Sequence, residues 1–314
     1  MDARLPASTR QAHVLRVEPA EEGLRVDRFL SRRLGLGRRA AMRLAAEVRL
    51  DGRWTDKGAV VRAGQELQIP VPAEASHTAL ADADLVLATQ VVLVVAKPAG
   101  LPTLPSPLDR AEDCLARRLA LRFPELEALG KPGESGLVQR LDRWTSGLLL
   151  VARTEDATTA LRRSLRAGDV VKTYLAVVQG RLSAATTVET TAGTLPCLES
   201  APGPVSRRHA SAWAPRGATS RVEPLHLGVG HTLIQVVATT GVRHQIRVHL
   251  ASLGHPILGD TRYGGAALPA ARPGFLLHAH RLNWPDPATG ERVDVAQTVP
   301  GWWQAVVPEL HQRG

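Results

Sequence analysis

An aspartate at position 142 stands where a side chain could do chemistry. It lies in the polar stretch QRLDRWTS, which begins at Gln139 and runs directly into the apolar run GLLLVA. A continuous apolar run after a Ser-Gly pair predicts a strand buried on both faces, so the polar stretch is a loop at the edge of a core. Arg140 and Arg143 flank Asp142, and nearby cations favour the charged form of a carboxylate. A loop aspartate also commonly bonds its own turn, so these residues alone leave a structural and a catalytic role open.

The elements that must position this loop belong to a large C-terminal part of the chain. Runs rich in β-branched residues predict strands at 85–87, 91–95, 171–178 and 231–239, and a hairpin around the turn 286–291. Apolar residues at helical spacing predict helices at 110–123, 242–253 and 301–310. A further helix is capped by Thr154 and ends at Gly168. Residues 191–220 are rich in Pro, Gly, Ala and Ser and predict loops around a weak hairpin.

The apolar face of the predicted 110–123 helix is assigned to Leu115, Leu119 and Leu121. In the helix after Thr154, Arg162, Arg163 and Arg166 face outward. The sequence leaves open whether these arginines line a binding groove or simply a solvated face.

The N-terminal part has a different pattern. Residues 1–22 show no clear period and are interpreted as a leader. Apolar spacing predicts a helix at 26–34 that ends at Gly35 and a second helix at 38–48. An Asp51-Gly52 turn predicts a small hairpin, and a strand follows at 67–69. Prolines and scattered acids then indicate a linker, so the predicted organisation is a leader 1–22, a small module 23–70, a linker 71–84 and a large domain 85–314.

Composition restricts the class of partner. The 314 residues include 39 Lys or Arg against 30 Asp or Glu, which gives a net charge of +9 and a pI near 10.6. That excess points to a polyanionic partner, although it could also be spread over a solvated surface. No apolar run approaches a membrane helix and the N-terminus lacks the apolar centre of a signal peptide, so we expect a globular protein of the cytoplasm.

The sequence contains no pattern typical of a zinc site or of a nucleotide-binding loop. Cys114 and Cys197 lie far apart and belong to no Cys/His cluster. His244 and His249 are spaced i, i+5 rather than the i, i+4 of a helical zinc motif. The chain also contains neither GxxxxGK[ST] nor GxGxxG. The sequence therefore gives no sign of a metal site or of a nucleotide-binding loop.

Four separated segments carry a family resemblance. They are KPAG from Lys97, RLDRWTSGLLL from Arg140, KTYLAVV from Lys172 and TGVRHQIRVHLASLGHPILGDTRYGG from Thr240. In this order they resemble the motifs of RluA-type pseudouridine synthases, over about residues 24–310. The resemblance implies an α+β fold, with a mixed, mainly antiparallel catalytic domain around a cleft. Residues 24–70 resemble the alpha-L RNA-binding fold named for ribosomal protein S-four, a small α/β module, although an ordinary helical cap is the alternative.

The resemblance implies an isomerase that converts uridine in RNA to pseudouridine without a cofactor. Asp142 is then the catalytic residue, acting as a nucleophile at the ribose or as a base on its 2′ proton. Arg247 pairs with Asp142, Tyr174 stacks on the uracil, and Arg140 fills the gap in the RNA or steadies the target nucleotide. The residues expected to bind RNA are Arg38, Arg39, Arg43, Arg243, His244 and Gln245. For His244 and Gln245 the alternatives are to support the site by hydrogen bonds or simply to pack the helix. The expected partner is ribosomal RNA rather than transfer RNA, with no membrane, and the expected state is a monomer.

Two positions depart from the usual family pattern. Gln139 stands where the family usually has the His of HRLD, and Val242 where it has the first Arg of TGRxHQIR. An alternative function is therefore a non-catalytic RNA-binding or ribosome-assembly protein on the same scaffold. A glycosidase or nucleoside hydrolase would need a second positioned carboxylate, and none accompanies Asp142 in these motifs.

Overall fold

Two β-sheets organise the chain. The computed structural model describes residues 12–35, 41–42, 44–45, 48–55, 58–70, 78–105, 113–190, 217–269 and 273–307. These residues form two units, the first comprising those up to Pro70 together with Pro105 and Asp113, and the second the remainder from Thr78 onward. Each unit has its own sheet and its own buried apolar cluster.

The first unit is a small antiparallel sheet with helices. Its strands lie in the order β1 (Ala12–Arg16), β4 (Glu66–Pro70), β2 (Arg49–Leu50) and β3 (Arg53–Trp54). Asp51 and Gly52 have φ of 48° and 79°, so the predicted Asp-Gly turn joins β2 to β3. Helix α1 (Val26–Leu34) ends at Gly35, as predicted, because its φ of 63° suits glycine.

Parts of the first unit differ from the sequence interpretation. The prediction of a leader is wrong for residues 12–22, because β1 pairs along its whole length with β4 and Val17 is buried. A pairing between strands some fifty positions apart leaves no local periodic signal. Of the predicted second helix, residues 41, 42 and 44 are helical, whereas Arg38, Arg39 and Arg43 lie outside the described residues.

The second unit is built on one large mixed sheet. Its strand order is β5-β6-β7-β12-β8-β11-β10-β9, and β13 pairs with β12. The bounds are β5 (Leu85–Ala88), β6 (Val92–Lys97), β7 (Ser146–Ala152), β8 (Val171–Gln179), β9 (Thr186–Thr190), β10 (Ala218–Leu227), β11 (His231–Ala238), β12 (Leu277–Pro285) and β13 (Arg292–Ala296). The β7–β12 pairing is parallel and the other pairings are antiparallel. The predicted mixed, mainly antiparallel α+β fold is confirmed.

Helices pack around this sheet. Their bounds are α2 (Leu115–Arg122), α3 (Glu155–Ala167), α4 (Gln245–Ser252) and α5 (Trp302–Val306). Strand β7 is buried at every position, as predicted. Helix α3 begins at the predicted cap, where Thr154 accepts a hydrogen bond from the Ala157 amide, and ends at Gly168. Within the described residues, no helix is long and apolar enough to cross a membrane.

Three boundaries in this unit were predicted wrongly. Helix α2 starts at Leu115, and Leu121, which was placed on its apolar face, is 52% exposed. Residues 78–84 are not linker, because Leu80 is buried and its amide donates to the Arg118 carbonyl. Residues 218–220 belong to strand β10 rather than to loops, whereas 191–216 lie outside the described residues.

Candidate active site

The loop that carries Asp142 is fixed on both sides by backbone contacts. Thr103 Oγ1 donates to the Leu141 carbonyl at 2.7 Å and accepts from the Leu141 amide at 3.1 Å. After Asp142, the Arg143 carbonyl accepts from the Gly100 amide at 2.8 Å and from Lys97 Nζ at 3.0 Å. The Asp142 carbonyl closes a turn with the Thr145 amide, and strand β7 follows at once. The carboxylate therefore projects from a loop that is held in place just before β7, an interior strand of the sheet.

The lysine that anchors this loop is itself buried. Lys97 Nζ also donates to the carbonyls of Pro98 and Leu101, at 2.9 and 2.7 Å. Burial lowers the pKa of Lys97 to about 7, although the negative charge of Asp142 acts in the opposite direction. Lys97 thus joins the KPAG turn after β6 to the Asp142 loop.

The cation that contacts Asp142 comes from helix α4. Arg247 Nη1 donates to Asp142 Oδ2 at 3.0 Å. The Asp142 side chain is 19% exposed and that of Arg247 is 8% exposed, so the pair is partly shielded from water. A charge-assisted hydrogen bond of this kind orients a carboxylate and favours its ionised form.

A second carboxylate holds the other side of the same guanidinium. Arg247 Nε and Nη2 donate to the two oxygens of Asp260, at 2.7 and 2.8 Å. The rings of Phe275 and Tyr263 lie over the guanidinium, with centroids 4.4 and 4.9 Å from its carbon. Burial opposes the charge of Arg247, but the hydrogen bonds and charges of Asp260 and Asp142 outweigh it and raise the pKa of Arg247.

The segment before α4 is not helical. The predicted helix from Val242 is wrong at its start, because His244 has φ 59° and the helix begins at Gln245. Histidine is one of the residues that tolerate this left-handed conformation. The turn places His244 Nε2 3.6 Å from Asp142 Oδ1, and His244 Nδ1 shares a hydrogen bond of 2.7 Å with Tyr263 Oη.

His244 and Gln245 are better placed for positioning than for contact with phosphate. Burial, assisted by the charges of nearby arginines, lowers the pKa of His244 to about 4, so its ring is neutral near pH 7. Gln245 is buried, and its amide donates to the Thr219 carbonyl and accepts from the Val242 amide. These contacts fit the supporting, hydrogen-bonding role that the sequence indicated for both residues, and because both also line the cleft, contact with RNA stays a prediction. Arg243 is exposed and faces the cleft.

Strand β8 supplies the opposite wall. Tyr174 and Lys172 are two residues apart, so their side chains lie on the same face of the strand. Burial raises the pKa of Tyr174, and the negative charge of Asp142 adds to the effect, so the phenol stays neutral. Lys172 Nζ donates to the Thr240 carbonyl at 2.7 Å, and burial lowers the pKa of this lysine to about 8.

These walls enclose a cleft of about 760 Å³. Among the described residues that line it, Asp142 is the only carboxylate. Six lining residues are basic: Arg140, Arg162, Arg166, Lys172, Arg243 and Arg247. One carboxylate among several cations suits a polyanionic ligand. Within the described residues, no group of three or more His, Cys, Asp or Glu side chains could hold a metal ion.

The cleft brings together most of the residues singled out from the sequence. Those predicted residues that line it are Arg140, Asp142, Tyr174, Arg243, His244, Gln245 and Arg247. Sequence reasoning gave no role to Lys97, Lys172 or Asp260. All three stand inside the segments KPAG, KTYLAVV and GDTRYGG, so the motifs contained them, but nothing local indicates which partner each one contacts.

Comparison with known proteins agrees with this architecture. Residues 91–252 match a family model described as RNA pseudouridylate synthase. A ribosomal large subunit pseudouridine synthase D of Xanthomonas campestris pv. campestris is 34% identical over 284 residues, which cover 84% of this chain and 81% of the relative. A protein of the same name from Pseudomonas aeruginosa is 32% identical over 288 residues, covering 85% and 84%.

Solved structures show the same fold. Human RNA pseudouridylate synthase domain containing 1 superposes with a TM-score of 0.53 at 26% identity, over 72% of this chain and 86% of that one. Human RNA pseudouridylate synthase domain containing 4 gives 0.55 at 23% identity, over 73% and 93%. The resemblance in the motifs is thus confirmed at the level of the family and of the enzyme class: the chain belongs to the RNA pseudouridylate synthase family and is an isomerase that acts on RNA.

Proposed function

We propose that this enzyme isomerises a uridine of large-subunit ribosomal RNA and that Asp142 is its catalytic carboxylate. The observation that carries the proposal is the position of Asp142, which is the only carboxylate among the described cleft-lining residues and is held by Arg247 at 3.0 Å. The relatives named as large-subunit ribosomal synthases support the choice of RNA. The net charge of +9 fits a large polyanionic substrate.

The reaction rearranges bonds within one nucleotide. The bond from ribose C1′ to uracil N1 breaks, the base turns while bound, and a bond forms from C1′ to uracil C5, whose proton moves to N1. Asp142 serves this sequence either by attacking C1′ or by removing the 2′ proton, and both routes need its ionised form. Arg247 orients the carboxylate, because it donates a directed N–H to Oδ2.

The remaining cleft residues suit the binding of an extruded nucleotide. Taking a base out of a stack costs a few kcal/mol, and stacking on an aromatic ring offsets part of that cost. Tyr174 offers such a ring beside Asp142, and its neutral phenol adds no charge to repel the RNA. Arg140, Arg166 and Arg243 line the cleft where flanking phosphates would pass.

The first unit is proposed to be an S-four-like RNA-binding module that adds affinity for structured RNA. Helix α1 exposes Arg28 and Arg32, whereas the neighbouring Arg33 is paired with Glu21 at 2.8 Å. Two exposed cations on one short helix fit backbone contacts to RNA. RNA would then contact cations of the first unit as well as those of the cleft.

The test compares two isosteric substitutions in the full chain. Asp142→Asn removes the charge in the cleft, and Asp294→Asn is its matched control, because Asp294 pairs with an arginine, Arg281, on the exposed hairpin of β12 and β13. Pseudouridine is mapped in ribosomal RNA from cells that carry each variant in place of the wild-type gene. We expect modification at one or more positions to vanish with Asp142→Asn and to persist with Asp294→Asn.

Two results would contradict the proposal. Unchanged product in Asp142→Asn would reject this carboxylate as catalytic. Salt-sensitive RNA binding by the wild-type protein, with no uridine isomerised in ribosomal RNA, would favour the non-catalytic RNA-binding alternative.

A further inference from the structure

We propose that Asp260 is a positioning residue for the isomerisation, because it holds Arg247 so that a single nitrogen, Nη1, faces Asp142. This inference rests on the proposed catalytic role of Asp142. It adds a residue that does not line the cleft and that acts through another side chain.

The contact between Asp260 and Arg247 is a two-point fork. Nε and Nη2 of Arg247 donate to separate oxygens of Asp260, at 2.7 and 2.8 Å, which defines the plane of the guanidinium as well as its distance. Asp260 is 2% exposed, so its charge is almost fully removed from water. A carboxylate in that position is tolerated because the arginine is also buried and meets both of its oxygens.

Asp260 is itself fixed by a tight backbone turn. Its carbonyl accepts from the amides of Tyr263 and Gly265, and its amide donates to the Ile257 carbonyl. A Cβ on Gly265 would lie 2.1 Å from the Ile257 carbonyl oxygen, and one on Gly259 would lie 2.2 Å from that of Gly274. Backbone therefore packs directly against backbone here, and the carboxylate cannot follow Arg247 if the arginine moves.

The faces of the guanidinium are covered as well. Phe275 and Tyr263 approach it from separate segments, with centroids 4.4 and 4.9 Å from the guanidinium carbon. Aromatic rings attract a cation at these distances and restrict its tilt. With one edge taken by Asp260, the nitrogen that remains directed at Asp142 is Nη1, at 3.0 Å.

This arrangement has a consequence for catalysis. Arg247 donates to Oδ2 of Asp142 and not to Oδ1, which lies 3.6 Å from His244 Nε2 and is the oxygen we assign to the ribose. Without the negative charge at position 260, Arg247 would no longer be shared between two carboxylates and could turn to form its own fork with Asp142. Such a fork would occupy the oxygen that must reach the sugar, so the chemical step should suffer while the RNA-binding surface stays intact.

A double-mutant cycle in the full chain tests the proposal. Asp260→Asn, Arg247→Lys and the double variant are measured in single-turnover reactions on the RNA that the wild-type enzyme modifies. A misplacement of about 1 Å at a reacting group costs about 100-fold in rate, so we expect Asp260→Asn to lower kcat by that order. KM should change by less than about twofold, because ground-state contacts to RNA are unaltered. In the Arg247→Lys background, where no fork can form, Asp260→Asn should change kcat by less than about threefold.

The outcomes separate this inference from the proposed function. Equal kcat losses from Asp260→Asn in both backgrounds, or a rise in KM without a fall in kcat, would show that Asp260 does not act through Arg247. Full activity of Asp142→Asn would instead remove the proposed function itself. Should Asp260→Asn not fold, judged by thermal unfolding, Asp260→Glu is taken through the same cycle, because its longer side chain also breaks the two-point contact.

Discussion

Gly147 makes the close approach on which the Asp142 loop depends. It lies in β7, where Ser146 and Gly147 pair in parallel with His278 and Ala279 of β12. Its φ is 108°, and a Cβ built on it would lie 2.3 Å from the Ala279 carbonyl oxygen and 2.7 Å from the Ala279 nitrogen. Both contacts are to backbone, so no side chain can turn away to relieve them.

The cost of Gly147→Ala has two parts. An L-residue in a left-handed conformation costs about 1–2 kcal/mol. Overpacking of a well-packed core typically costs a further 1–3 kcal/mol, about 2–5 kcal/mol together. Gly290→Ala is the matched control, because Gly290 has φ 75° with nothing within 4 Å of its added Cβ, and it should lose only the first part. The difference between the variants, about 1–3 kcal/mol, measures the clash.

Urea unfolding followed by tryptophan fluorescence measures both variants, since Trp144, Trp284 and Trp303 all belong to the second unit. Activity provides a second readout. Ser146 lies one residue beyond the turn that Asp142 closes with Thr145, so strain at Gly147 should lower kcat even under conditions where the variant is folded. Equal unfolding free energies for Gly147→Ala and Gly290→Ala would refute the reasoning, because the close approach to Ala279 would then have no cost.

Three further perturbations have defined outcomes. Arg166→Gln should reduce the slope of log affinity against log salt by about 0.7–0.9, as expected for one lost phosphate contact, whereas Arg163→Gln on the same helix, outside the cleft, should not. Tyr174→Ala should weaken RNA binding by about 1–3 kcal/mol, and Tyr174→Phe should restore most of it, because the ring rather than the hydroxyl stacks. Burial lowers the pKa of His278 to about 4, so the unfolded chain binds a proton that the folded chain resists, and stability falls as pH drops from about 6.5 to about 4. His278→Asn should make that part of the urea-midpoint profile shallower, and His244 and His249, whose pKa values are also lowered to about 4, keep the rest of the slope.

Local signals predicted the parts of the fold that local energetics determine. The buried run of β7, the Thr154 cap of α3 and the Asp51-Gly52 turn each depend on residues within a few positions of one another. The edge pairing of β1 with β4 was missed because it joins segments far apart in the sequence. The start of α4 was missed because the left-handed turn at His244 is selected by its contacts with Tyr263 and Asp142, which no periodicity records.

The sequence indicated which residues form the site, but not which charged side chains pair with one another. The motifs identified Asp142 and Arg247, yet the fork between Arg247 and Asp260 depends on how a glycine-rich turn packs. The outward arginines of α3 show the same limit. Arg162 is paired with Glu134 at 2.5 Å, and both Arg162 and Arg166 line the cleft, so the choice between groove and solvated face differs from residue to residue.

Val242 stands where the family pattern usually has arginine. At this position the contacts that support helix α4 come from the backbone. Val242 lines the cleft, but backbone atoms tie it to the framework: its amide donates to Gln245 Oε1 at 3.1 Å, and its carbonyl accepts from the Gln245 amide at 3.1 Å. Gln245 in turn holds strand β10 through the Thr219 carbonyl at 2.9 Å. A valine preserves these contacts, so replacing the usual arginine changes the cleft wall and leaves the support of α4 intact.

The departure at Gln139 follows the same logic and yields a test. Gln139 lines the cleft three residues before Asp142, whereas the loop is anchored through backbone atoms of Leu141 and Arg143. A change at 139 therefore alters the surface that meets RNA without releasing the carboxylate. Gln139→His should change KM for the RNA, or the choice among RNAs, and leave single-turnover kcat within about threefold of wild type. A large fall or rise in kcat at unchanged KM would show instead that residue 139 acts on Asp142 itself.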